Sequence, residues 1–189
     1  IGLASGDGQA TRAFVARFGA RIFSLALALV GDTVLAERIA GDTVIWAKGQ
    51  ANGGFGPGMT SVTVWVLSGC VDLAVEALRR PGAFPPDHDT PVCLGVGGGE
   101  AAPVFARSSA VRRALVSLPA DQRRALVLAG VCRCSAEEVA VTEGVPVAAV
   151  RVAIRAGLTT LRGALAAAPP SASPVPSASQ GGSSTPSPA

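Results

Sequence analysis

An all-α fold is predicted by three features of this 189-residue sequence. Apolar residues recur at three- and four-residue steps through most of the chain, Ser or Asp stands where those patterns open, and Gly or Pro stands where they close. Hydrophobic residues make up 49% and charged residues 15% of the chain, which excludes a wholly disordered protein. The expected architecture is two small helical domains, at 11–80 and 108–166, joined by a flexible linker at 81–107 and followed by a disordered tail at 167–189.

The first helix is expected over 11–31. Phe14, Phe18, Ile22, Leu25 and Leu29 form one stripe, Arg12, Arg17 and Arg21 fall on another face, and Gly31 stops the pattern. Asp32 is a good N-cap for a second helix, which Leu35, Ile39 and Trp46 carry to about Lys48. Residues 49–60 hold five glycines and Pro57 and read as a loop. Ser61 can cap a third helix with Leu67, Val71, Ala74 and Leu78 as its stripe; the alternation of Val62, Val64 and Val66 suggests a short strand, but the longer helical repeat outweighs it. Arg79 and Arg80 favour the negative end of that helix, and Pro81 breaks it.

The linker carries Pro81, Pro85, Pro86, Pro91, Pro103 and the run Gly97–Gly99. Beyond it, Val111, Leu115 and Leu118 mark a helix that Pro119 stops, and Asp121 is expected to cap the next, to about Gly130. Ser135-Ala136-Glu137-Glu138 fits a capping box opening a short helix, Gly144 supplies a turn, and Pro146 suits the first turn of a longer helix with Val147, Val150, Ile154, Leu158 and Leu161. Short helix, glycine turn and longer helix make a helix-turn-helix pattern. The tail, with six Pro, seven Ser and no charge, has too little apolar surface to offset the entropy of ordering.

Net charge is +3 and the pI about 9.0. The excess is concentrated at 108–166, where eight arginines face four acids, an electrostatic bias toward nucleic acid. Six Phe, two Trp and no Tyr are few for a single-strand binder that stacks each base on a ring. Cys70, Cys93, Cys132 and Cys134 lack zinc-site spacing and are expected to be structural thiols, with a redox switch or a metal as alternatives. His88, the single histidine, lies in the linker, and no nucleophile–base pair or paired acids appear, so an enzyme is the class supported least. No catalytic residue, metal or cofactor is implied. The charge-free stretch 49–71 contains Asn52, Pro57 and six glycines and is a poor membrane span. The expected compartment is the cytoplasm, with no membrane partner.

The order of these motifs resembles the extracytoplasmic-function sigma factors of the sigma-70 family. Val30-Gly31-Asp32, Ala36-Glu37 and Asp42 are similar to the family's L-G-D-x-x-x-A-E-D-x-x-Q-D motif of region 2, with Trp46 near that region's usual tryptophan. Thr63–Leu67, Asp72 and Leu78-Arg79-Arg80 are similar to A-W-L-L…D-x-x-R-R. Val111–Leu115, Leu118-Pro119 and Gln122-Arg123 resemble the opening of region 4, and Ser135–Ala140, Gly144-Val145 and Val150-Arg151 resemble its helix-turn-helix.

The resemblance implies a subunit that binds core RNA polymerase and directs it to promoter DNA, with an anti-sigma factor as a further partner left open. It implies polymerase contacts at Asp32, Glu37 and Asp42, contacts to the −10 element at Trp46, Lys48 and Asn52, and contacts to the −35 element at Val147, Ala148, Arg151 and Arg155. Each has a plainer alternative: Asp32 as an N-cap, Glu37 and Asp42 as solvated acids, Trp46 and Trp65 as core, and the arginine pair as a solvated face. The chain departs from the family at Arg38-Ile39-Ala40-Gly41, where an acid and a glutamine are lost, and at Ser68-Gly69-Cys70-Val71, where promoter-strand Arg and Asn are usual. In the recognition helix, Pro146, Ala148, Ala149, Val152 and Ala153 replace polar residues. A stand-alone helix-turn-helix regulator and a sigma-like interaction module without initiation activity are the alternatives.

Overall fold

The computed structural model describes residues 7–51, 61–80 and 109–167, and every regular element among them is a helix. In chain order these are α1 Gly8–Val30, α2 Thr33–Gln50, α3 Val62–Leu78, α4 Ser109–Ser117, α5 Ala120–Gly130, α6 Ala136–Glu143 and α7 Val147–Ala167. The glycine loop after Ala51 with Asn52, the linker with His88 and Cys93, and the tail beyond Ala167 lie outside the described residues.

Local chemistry sets the helix ends. The Asp7 carboxylate accepts from the Gln9 amide at 2.8 Å, so α1 opens three residues before its apolar stripe suggested. Gly31 closes it in the left-handed region (φ 73°), its amide donating to the Leu27 carbonyl at 2.8 Å. Asp32 immediately caps α2 by accepting from the Leu35 amide at 2.7 Å. One glycine and one aspartate thus reverse the chain between two long helices. Ser61 caps α3 through the Val64 amide. The valines at 62, 64 and 66 are helical, not a strand, because α3 is buried from Val64 through Val71 and packing overrides local β preference.

Helices α1, α2 and α3 pack against one another around Phe14, Phe18, Ile22, Leu25, Leu29, Ile39 and Val71. By length and composition α1 could cross a membrane. Its stripe is instead buried against α2 and α3, with Arg12, Arg17 and Arg21 exposed on the other side, as expected of a core helix. Gly69 lets α2 and α3 approach closely, since a Cβ there would lie 2.3 Å from the Trp46 ring. Trp46 also meets Trp65, ring centroids 4.8 Å apart.

The C-terminal helices pack mainly on α7. Asp121 does not cap α5. The helix opens after Pro119 with no side-chain cap, and Asp121 lies inside its first turn, where its charge still suits the positive end. The capping box at α6 is complete: the Glu138 amide donates to Ser135 Oγ at 3.1 Å and the Ser135 amide to Glu138 Oε2 at 2.8 Å. Gly144, at φ 66°, ends α6 in the left-handed region and turns the chain into α7. Gly157 is the close approach of α7 to α5, where a Cβ would sit 3.3 Å from the Gln122 carbonyl.

The sequence did not anticipate that α3 also packs against α5 and α6. The apolar core therefore runs without a break from Phe14 in α1 to Leu161 in α7.

Candidate nucleic-acid interface

The helix-turn-helix is built by α6, the Gly144 turn and α7. Val139 and Ala140 of α6 and Val150 and Leu161 of α7 are buried, which fixes the face that α7 turns outward. At 100° per residue that outward face carries Ala148, Arg151, Val152, Arg155, Thr159 and Arg162, all exposed. Three guanidinium groups thus line one side of a helix more than five turns long. Helical spacing makes Arg162 legible in the sequence, two turns beyond Arg155.

Of the predicted recognition residues, Ala148, Arg151 and Arg155 face outward, whereas Val147 is half-buried against the core. Arg151 is not idle: its guanidinium donates to Glu137 Oε1 of α6 at 2.8 Å, with both side chains more than half exposed. The Glu137 carboxyl is held below the usual carboxylate range, first by a backbone amide in the opening turn of α6 and, less strongly, by Arg151. A phosphate or guanine that engages Arg151 must take it from Glu137. Exposed ion pairs of this kind are weak in water, so the exchange is a small barrier.

The residues predicted to meet polymerase and the −10 element lie elsewhere. Asp32 is the N-cap of α2. Glu37 and Asp42 are exposed on the same helix, together with Val34 and Ile45, which are 76% and 69% exposed. Trp46 is half-buried beside Gly69 and Trp65, and Lys48 is half-buried near the end of α2. These residues are more than 90 positions upstream of the α7 arginines and form no single cluster with them. Ser68 to Val71, the stretch where the family carries promoter-strand residues, is buried.

Sequence reasoning missed the polar cluster that joins α3 to the helix-turn-helix. Arg124 Nε donates to both Asp72 oxygens at 3.0 and 3.1 Å, its Nη2 also meets Asp72, and its Nη1 donates to Glu143 Oε2 at 3.0 Å. Ser68 Oγ donates to the other Glu143 oxygen at 2.8 Å. Hydrogen bonding to Asp72 raises the Arg124 pKa against the opposing effect of partial burial. Arg123, next in sequence, points inward: 4% exposed, it donates to the Leu118 carbonyl at 2.7 Å and the Val116 carbonyl at 3.3 Å, closing the end of α4. Burial, and after it the nearby Arg79, lowers the Arg123 pKa.

The thiols lie in apolar surroundings. Burial pushes Cys70 up to about 12 and raises Cys132 further. No group of three or more His, Cys, Asp or Glu among the described residues is placed to hold a metal ion.

A capped short helix, a left-handed glycine and a longer helix with an arginine-bearing outer face define a helix-turn-helix protein of the all-helical class. Residues 108–161 match the family model for sigma-70, region 4. Among solved structures, the chain is similar to the sigma factor RpoE in complex with the anti-sigma factor NepR from Bartonella quintana. The TM-score is 0.51 and the identity 18%, over 82% of this chain and 96% of that one. No curated protein gives a significant match. Residues 108–161 are thus similar to sigma-70 region 4, and the likeness to the solved sigma factor is one of fold.

Proposed function

We propose that this protein is a promoter-specificity subunit that binds core RNA polymerase in the cytoplasm and acts without catalysis of its own. In this reading α7 meets the −35 element through Arg151 and Arg155, and the α2 end of the N-terminal helices, with Trp46, Lys48 and Asn52, meets the −10 element. Glu37 and Asp42, exposed on α2 between Val34 and Ile45, are the polymerase contacts. Asp32 contributes by setting the start of that helix. The single observation that carries the proposal is the arginine-lined outer face of α7 within a region 4 match. The RpoE structure contains an anti-sigma factor, and an anti-sigma partner is proposed here by that likeness.

The experiment is co-elution of the purified chain with core polymerase, followed by run-off transcription. Formation of the complex and of a discrete transcript is the expected result; absence of both removes the proposal. One observation favours a second reading, a sigma-like module without initiation activity. The third-helix stretch Ser68–Val71 is buried and lacks the polar groups that a promoter strand would need. That reading predicts the complex with polymerase and no transcript.

A further inference from the structure

The outer face of α7 offers an unusual set of groups to a major groove. Its first eight residues, Val147 to Ile154, contain one polar side chain, Arg151. At the tip Val145 and Val152 are 41% and 56% exposed, and Pro146, Ala148 and Ala149 are exposed beside them. Val141, 45% exposed at the end of α6, adjoins this patch through the turn in which the Val145 amide donates to the Ala140 carbonyl. Arg151, Arg155 and Arg162 run along the same side.

Base-edge chemistry limits what such a face can read. Adenine is recognised by Asn or Gln and cytosine by Asp or Glu, and the outer face of α7 has none of these. Arginine recognises guanine, and alkyl groups pack on the C5-methyl of thymine. Ala148 and Val152 stand four residues apart on one face, roughly 6 Å along the axis, which spans about two base-pair steps. Their alkyl groups are exposed at the level of the arginines. An exposed apolar group at the entry of a basic helix is suited to a methyl-bearing base edge.

Resting on the proposed role of region 4, we infer that α7 reads its promoter element through thymine methyl groups, contacted by Ala148 and Val152, next to guanine contacted by Arg155. Arg151, tethered to Glu137, serves the phosphate backbone.

The test uses the full-length chain, alone and assembled with core RNA polymerase, and a random-sequence duplex pool. The pool should enrich elements with thymine within about two steps of guanine. Replacing each selected thymine by deoxyuridine, which lacks only the methyl group, should weaken binding about fourfold per contacted base. V152A, which shortens the alkyl group at an exposed position, should reduce the thymine–uracil difference at one position. R155A should weaken thymine and uracil duplexes equally. Equal binding of thymine and uracil duplexes overturns the inference while leaving the promoter role standing. Failure to enrich any duplex in either form of the experiment overturns both.

Discussion

Arg124 lies in the C-terminal helices, yet its strongest partner, Asp72, is in α3, beside the N-terminal core. The substitution Arg124→Ala removes a two-pronged contact to Asp72 and a single one to Glu143, leaving Glu143 its Ser68 contact. The side chains are about one-third exposed for Arg124, 39% for Asp72 and 24% for Glu143, so solvent screens the pairs. With that discount the variant should lose about 1–2 kcal/mol, of which a double-mutant cycle with Asp72→Ala should assign about 1 kcal/mol to the pair itself. Both tryptophans of the chain, Trp46 and Trp65, lie in α2 and α3. Tryptophan fluorescence therefore reports directly on the packing of α2 and α3. At a urea slope of about 2 kcal/mol per molar, the Trp transition of Arg124→Ala should fall by about 0.5–1 M. Arg155→Ala, an exposed arginine on the outer face of α7, is the control and should leave it in place. If Arg124→Ala shifts the tryptophan midpoint by less than about 0.2 M, the N-terminal helices do not depend on the Asp72–Arg124–Glu143 cluster and the coupling argument is wrong.

Further expectations concern other parts of the fold. Arg123→Ala should lower stability by about 2–3 kcal/mol in denaturation followed by circular dichroism, because it strips a buried charged donor from two carbonyls at the end of α4. Gly69→Ala should cost about 1–3 kcal/mol and change Trp emission, since the new methyl group can be seated only by displacing the Trp46 ring. Glu137→Gln should leave the unfolding midpoint nearly unchanged and tighten duplex binding by freeing Arg151. Because the Glu137 carboxyl is depressed, its contribution is present above the ordinary carboxylate range and is lost as pH falls through its lowered pKa; NMR titration of this carboxyl checks the direction. Iodoacetamide at neutral pH, with peptide mapping, should label half-exposed Cys134 before Cys132 and Cys70. The raised pKa of Cys70, about 12, means that its contribution is full below the usual thiol value and is lost as pH rises toward 12.

The helix ends and the helix-turn-helix were legible because their causes are local. Asp32, Ser61 and Ser135 act on amides three residues away, and Gly31 and Gly144 supply backbone angles that other residues resist. The outward placement of Arg151 and Arg155 followed from the same short period, while Val147, one position before Ala148, is half-buried against the core. Asp121 was misjudged as a cap because it lies two residues inside the helix, whose N-cap position is Pro119. At Val62–Val66 the local alternation suggested a strand, but the longer helical repeat was the better guide, as α3 shows.

What the sequence by itself determined was the set of helices, their stops, the position of the basic region and the turn that presents it. Tertiary structure alone decided that Gly69 is the seat of Trp46, that adjacent Arg123 and Arg124 have opposite fates, and that α3 is covered by α5 and α6. The physical reason is range. Capping and periodicity act across three or four residues, whereas Arg124 meets Asp72 across 52 positions and Ser68 meets Glu143 across 75, and such pairs form only where packing of the whole chain brings the two surfaces together.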